Sequence, residues 1–221
     1  MFADRTEAGK LLAAELERIF ADDPSLADPV VLALPRGGLP VAIEIARALN
    51  APLDLVLVRK IGVPFQPELA AGAVVDGDDP QLVVNEEVVR MAGLTKADLD
   101  AVEARELEEI ERRRDLYLKG RARAPIENRT VIVVDDGIAT GATTRAALKA
   151  LRRRGPKALI LAVPVAPEET VEAMRREVDR VVCLDSPAAF YAIGAHYRDF
   201  RQVSDAEVVA LLDDASQAIG E

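Results

Sequence analysis

The sequence predicts an α/β fold: a twisted, mostly parallel sheet of about five strands flanked by helices, with a helical and hairpin insertion and a C-terminal tail beyond the last strand. Three observations predict it. Apolar runs bounded by turn residues recur at Val30–Leu34, Leu53–Val58, Val131–Val134, Ala158–Val163 and Arg180–Leu184, each with the length and Val/Ile content of a buried strand. Helical spacing fills the gaps, with Leu39–Leu49 after the first run, Thr143–Arg154 after the third and Pro167–Val178 after the fourth. The length of 221 residues, 50% of them hydrophobic and 30% charged, suits a single embellished domain over 1–221.

Taken in order, Asp4–Phe20 repeats apolar residues at Leu11, Leu12, Leu16, Ile19 and Phe20 and predicts an amphipathic helix packed on the sheet. An insertion follows the second strand, over roughly 73–125. In it, Ala73-Val74-Val75 and Leu82-Val83-Val84 flank Asp76–Pro80 and predict an edge hairpin. Asp76, Asp78 and Asp79 read as its turn rather than a metal site, because calcium loops need more ligands at fixed spacing. Next, Thr95–Leu118 is a Glu/Arg-rich helix with a thin stripe of Leu99, Val102, Leu107, Ile110 and Leu116; it is a solvated helix packed along one face, or alternatively a lid or dimer contact. Gly120–Thr130 leads back into the core, and the tail from about 185 to 221 holds half of the aromatic residues.

Composition excludes several classes. The 38 acidic against 28 basic residues give a net charge of -10, which opposes a polyanionic partner such as nucleic acid but leaves room for a small anion in a local pocket. No apolar run is long enough to span a membrane, and the first residues lack the layout of a signal peptide, so the expectation is a cytoplasmic protein. One cysteine, Cys183, and one histidine, His196, exclude an internal disulfide and a His-rich zinc centre. Cys183 reads as a small buried apolar residue.

The chemistry is concentrated in Val131-Ile132-Val133-Val134-Asp135-Asp136-Gly137-Ile138-Ala139-Thr140-Gly141-Ala142-Thr143-Thr144. Parallel sheets bind ligands outside the carboxyl ends of their strands, and here a strand runs into two acids and a small, hydroxyl-rich loop opening a helix. Loop amides and the hydroxyls of Thr140, Thr143 and Thr144 suit a phosphate at the helix N-terminus. Asp135 and Asp136 suit sugar hydroxyls. No G-x-x-x-x-G-K-[ST], G-x-G-x-x-G or G-x-S-x-G occurs, so the nucleotide-hydrolase, dinucleotide and serine-hydrolase readings fail.

This stretch resembles the phosphoribosyl-pyrophosphate (PRPP) signature of the type I phosphoribosyltransferases. It departs at Gly137, where an aliphatic residue is usual. Ala139 stands where members acting on hypoxanthine or guanine carry an acid, so the resemblance argues against a 6-oxopurine acceptor. Arg36-Gly37-Gly38 after the first strand fits the family's pyrophosphate loop, where relatives often have a non-proline cis peptide, and one is expected within Pro35–Gly38. Arg59 and Lys60 resemble its pyrophosphate-binding cations, Lys60 slightly ahead because strand alternation turns one of the two outward. Gly62, Pro64 and Pro67 predict an irregular mobile loop, from which Glu68 reaches the reacting centre on closure.

The resemblance implies transfer of phosphoribose from Mg²⁺-PRPP to a nitrogen acceptor, a nucleobase or related amine. The 5-phosphate would sit on Gly137, Ile138, Ala139, Thr140, Gly141, Ala142, Thr143 and Thr144, and the ribose on Asp135 and Asp136, with Mg²⁺ carried by PRPP near one of them. Asp135, Asp136 and Lys60 would be catalytic, and Arg36, Gly37, Gly38, Arg59 and Lys60 would hold pyrophosphate. A hood would hold the acceptor, with Tyr191, His196 and Phe200 as candidates; equally, Phe190, Tyr191 and Phe200 pack the last helix, and His196 is a structural hydrogen-bonding residue. The alternative is a PRPP-sensing protein that performs no transfer. A homodimer is an expectation carried by the relatives alone.

Overall fold

The computed structural model describes every residue except Pro64, Phe65, Asp78, Asp79, Gly220 and Glu221, and only the backbone of 66–69 and 216–219. Its first half contains α1 (Arg5–Asp22), β1 (Pro29–Ala33), α2 (Gly38–Leu49), β2 (Leu53–Leu55), β3 (Val58–Val63), β4 (Gln66–Val75), β5 (Gln81–Val84), α3 (Glu86–Ala92) and α4 (Lys96–Leu118). The second half contains β6 (Thr130–Val134), α5 (Ala142–Arg153), β7 (Ala158–Val165), α6 (Glu168–Met174), β8 (Arg180–Asp185) and α7 (Asp205–Ile219).

The five apolar runs form one parallel sheet in the order β2-β1-β6-β7-β8. Every residue of β6 and β7 is buried, which is why these strands read as continuous Val/Ile/Leu rather than alternating polar and apolar. The period-2 alternation instead sorts them between two covers. Val31, Ala33, Ile132, Val134 and Ile160 pack with Leu12 and Leu16 of α1, Leu39 of α2 and Leu212 of α7. Val30, Leu32, Val131, Val133 and Leu159 pack with Leu148 and Leu151 of α5 and Met174 of α6. Asp4 caps α1 by accepting from the Glu7 amide at 2.8 Å, and Thr95 and Asp98 form a reciprocal capping box on α4.

The insertion and the segment leading into it depart from expectation in several places. The sequence predicts one strand over Leu53–Val58, but the chain leaves the parallel sheet after Leu55 and enters a separate three-stranded antiparallel sheet, β3-β4-β5, at Val58. Two buried carboxylates make the bend: Asp54 accepts from the Leu55 amide at 2.7 Å and Asp76 from the Leu57 amide at 2.8 Å. Arg114 of α4 spans both, 3.3 Å from Asp54 and 3.0 Å from Asp76, and Arg123 adds a second pair to Asp76 at 2.6 Å. Asp76 is therefore a buried ion-pair hub rather than a solvated turn residue; Asp78 and Asp79 lie outside the described residues.

The predicted irregular loop is also a hairpin, because Val58, Ile61 and Val63 find partners along β4 and a β-bulge at Gly62 absorbs the glycine. Its Pro64 and Phe65, and the side chains of Gln66, Pro67 and Glu68, lie outside the described residues. On α4, Ile110 is buried as expected, but Leu116 is exposed and Glu106, Tyr117 and Leu118 turn inward. The tail aromatics do not pack the last helix either. Tyr197 and Phe200 stack at 5.0 Å beside Phe2, whereas α7 is held by Val208, Leu212 and Ala215.

Candidate active site

The carboxyl ends of β1 and β6 lie side by side, with Ala33 paired to Val134, so the Pro35–Gly38 loop and the Asp135–Thr144 loop leave the sheet together. The Leu34 amide donates to the Val134 carbonyl at 2.9 Å, carrying the pairing one residue beyond the strands. The peptide between Pro35 and Arg36 is cis, as expected for this loop. Here the glycines answer to close approach. A Cβ on Gly38 would lie 2.6 Å from the Val134 carbonyl oxygen, and one on Gly37 would overlap the Asp136 carboxylate. The two motifs, a hundred residues apart in sequence, are pressed into one wall.

The two acids have different surroundings. Asp136 is buried, with Oδ2 2.7 Å from Arg5 Nε of α1, while its carbonyl accepts the Tyr197 hydroxyl at 2.6 Å. Arg5 is fixed in turn by the Arg201 carbonyl at 2.8 Å and by the Phe200 ring, 4.0 Å from its guanidinium carbon. Asp135 is half-buried, and its Oδ1 accepts the Asp136 amide at 2.9 Å. Burial first, and then the Asp136 charge, push the Asp135 carboxyl well above the usual aspartate range. Burial also raises Asp136, with Arg5 pulling it back. The same burial pushes the Tyr197 hydroxyl upward, keeping it a neutral donor.

Beyond the acids, the loop sorts into scaffold and surface. Gly137 and Ile138 are buried, and the Ile138 amide is taken by the Val165 carbonyl at 3.0 Å. The Thr170 hydroxyl holds the Ala139 carbonyl at 2.7 Å. Gly141, at φ 69°, turns the chain into α5 with no side-chain cap on that helix. Ala139, Thr140, Ala142 and Thr143 are exposed around this N-terminus, whereas Thr144 is fully buried, so its hydroxyl is not on the open side with the other two.

The cations are dispersed. Arg36 stands 3.4 Å from Asp205 of α7, which also accepts the Tyr117 hydroxyl at 2.6 Å. Burial and this carboxylate push the Tyr117 hydroxyl up to about 12, while the Tyr117 hydrogen bond, followed by Arg36 among other neighbours, lowers Asp205. Arg59 pairs with the buried Glu106 of α4 at 2.8 Å. Lys60, on the other face of β3, lines a cavity of about 520 Å³ between the antiparallel sheet, α3 and α5, together with Thr143, Arg90 and Lys149.

In the hood, Tyr191 is 90% exposed. His196 stacks on Phe190 at 5.3 Å and stands 3.8 Å from Asp185, and Phe200 is occupied by Arg5 and Tyr197. Sequence reasoning missed Arg5, Tyr117, Tyr197 and Asp205. Arg5 left one faint signal: it is a cation at the first position of a helix, where the dipole opposes it.

The phosphoribosyl transferase domain family matches residues 4–199. Two curated Mycobacterium tuberculosis proteins, from strains CDC 1551 and H37Rv, are each named "Putative phosphoribosyl transferase"; each is 48% identical over 221 residues. The match takes in 100% of this chain and 48% of theirs, so the chain spans about half the length of the curated relatives it matches. The crystal structure of TT1426 from Thermus thermophilus superimposes with a TM-score of 0.83 at 42% identity, covering 97% of this chain and 98% of that one.

Proposed function

The chain belongs to the phosphoribosyl transferase domain family, and from that premise we propose that the crevice above β1 and β6 binds Mg²⁺-PRPP and transfers its phosphoribosyl group to a nitrogen acceptor. One observation carries the reading: the exposed Thr140 and Thr143 at an uncapped helix N-terminus stand in the same loop as a half-buried carboxylate, against a second loop bearing Arg36. A phosphate suits the helix end, ribose hydroxyls suit the acid turn, and the diphosphate suits Arg36 with Lys60. In the transfer, the bond from C1 to the pyrophosphate oxygen breaks with its electron pair leaving on pyrophosphate. The acceptor nitrogen's lone pair forms the new bond to C1 from the opposite face, inverting the configuration, and its N–H proton passes to solvent. The chain's part is to hold the sugar, stabilise the leaving anion and keep competing water out.

The residues fit Mg²⁺ as a passenger of the donor. Magnesium sites typically combine one or two carboxylates with substrate phosphates, and Asp135 supplies such a carboxylate. Among the described residues no group of three acids, histidines or cysteines forms an all-protein cage. When bound, the ion would neutralise diphosphate charge. Among the described residues no helix is long and apolar enough to cross a membrane, and a cytoplasmic location is part of the proposal.

The test is a thermal-unfolding shift with Mg²⁺-PRPP, followed by pyrophosphate release against a panel of nucleobases and amines. At a ligand concentration about 100 times Kd, linkage gives about 2.7 kcal/mol, or about 5–11 °C at this size. No shift would overturn the donor site; a shift without pyrophosphate release from PRPP in the presence of any acceptor would convert the reading to a PRPP sensor.

A further inference from the structure

We propose that Arg5 divides the acid pair, holding Asp136 as an internal clamp of the site and leaving Asp135 as the one carboxylate that meets the sugar. This rests on the PRPP reading and narrows it. Asp136 is buried and engaged through both its carboxylate and its backbone. Arg5 takes Oδ2 at 2.7 Å, with the two side chains only 11% and 10% exposed. Gly37 lies against the same carboxylate, in space that any Cβ would close. Tyr197 donates to the backbone carbonyl of the same residue at 2.6 Å.

Arg5 is not a loose surface partner that a ligand displaces cheaply. Its Nη1 is spent on the Arg201 carbonyl and its plane lies on Phe200, so guanidinium, carboxylate and ring make one packed unit. A hydroxyl bonding Asp136 Oδ2 in place of Arg5 would leave a guanidinium buried without its counter-ion. Asp135 has the opposite setting. It is half-buried and forms no ion pair among the described residues; its Oδ1 accepts the neighbouring amide, and its only other partner is the adjoining Asp136 carboxyl, with no cation on it. Its other oxygen can accept from the ligand. Arg5 is thus a positioning residue, and through it α1 and the 197–201 segment of the tail fix the height of the acid turn above the sheet.

The experiment compares Mg²⁺-PRPP affinity by calorimetry in the wild type, Asp135→Asn, Asp136→Asn, Arg5→Gln, Arg5→Lys and the double variant Arg5→Gln/Asp136→Asn. Losing a charged acceptor at Asp135 should weaken binding about tenfold or more. Arg5→Gln and Asp136→Asn alone each strand a buried charge and should lower the thermal midpoint; the double variant strands none and should regain most of it. The double variant should also lose less PRPP affinity than Asp135→Asn, and Arg5→Lys, which keeps the cation, should retain more than Arg5→Gln. Equal losses in the double variant and Asp135→Asn, with the wild type binding, would make Asp136 a sugar ligand and overturn the division alone. An absence of wild-type binding would instead remove the donor reading beneath it.

Discussion

The crevice and the insertion that overhangs it are built on different physics. At the carboxyl ends of β1 and β6 the two loops are fixed chiefly by close backbone contact, with glycines where any side chain would collide, a single buried ion pair from Arg5 to Asp136, and the fully buried strand β6 beneath. The antiparallel sheet and α4 are tied down by charge: Arg114 to Asp54 and Asp76, Arg123 to Asp76, and Arg59 to Glu106. Between the two regions lies the 520 Å³ cavity with Lys60 on its wall. The positions proposed to hold a phosphate and a sugar sit on the close-packed part, while the overhanging part is fastened by a few replaceable pairs.

Breaking the electrostatic fastening should give the largest effect. Arg114→Met leaves two buried carboxylates short of their shared cation and should cost about 3–5 kcal/mol in chemical denaturation. The loss should fall on the insertion first, so that hydrogen exchange accelerates in β3–β5 and α4 before the parallel sheet. A uniform acceleration would mean that the two regions are not distinct.

The crevice should fail by crowding instead. Gly37→Ala drives a methyl into the Asp136 carboxylate and should cost about 1–3 kcal/mol, with PRPP affinity falling alongside while exchange in the insertion stays as in the wild type.

Asp135 sharpens the contrast through its sign. Its carboxyl is raised in the folded protein by burial and by Asp136, so the native state binds a proton that the unfolded chain releases. That contribution to stability is present below the unfolded pKa, about 3.9, and is lost as pH rises toward the folded value. Asp135→Asn should therefore show a flatter stability-versus-pH curve than the wild type and lie above it at neutral pH, while binding the donor poorly. A variant curve running below the wild type at neutral pH would contradict the burial argument.

The smallest structural effect should come from Lys60→Ala. An exposed side chain on β3 should change stability by no more than about 0.5 kcal/mol, yet pyrophosphate release should slow if the insertion contributes this cation to the leaving group. Unchanged turnover would reduce the insertion to a cover.

What the sequence disclosed follows from this same division. Strands buried on both faces need unbroken Val/Ile runs, so the inner strands β1, β6 and β7 are the most legible members of the parallel sheet, and the Asp135–Thr143 loop is legible because few other tasks require that order of acids, glycine and threonines. The cis peptide at Arg36 followed from family resemblance rather than from any local propensity. β3 was not legible, since Gly62, Pro64 and Pro67 read as breakers and only pairing with β4 overrides them. Nor were the charge partners. Arg5 and Asp136 are 131 positions apart, Arg114 and Asp54 are 60 apart, and no spacing rule connects them. Thr144 was assigned to the open side with Thr140 and Thr143, and the helix rotation turns it inward.

The bend at Asp54 has a wider consequence. Its carboxylate takes the Leu55 amide where the chain departs from the parallel sheet and, through Oδ2, the Ala124 amide at 2.9 Å where it comes back. Departure and return are stapled to one side chain. The whole excursion from Val58 to Arg123 is therefore a graft on a closed stem, with Arg114 as its tie to the stem carboxylate, so changes elsewhere in it need not alter the spacing of the stem. A scaffold with such a stem lends itself to exchange of its overhang as a cassette, with the crevice above β1 and β6 as the constant part and the overhang as the variable one.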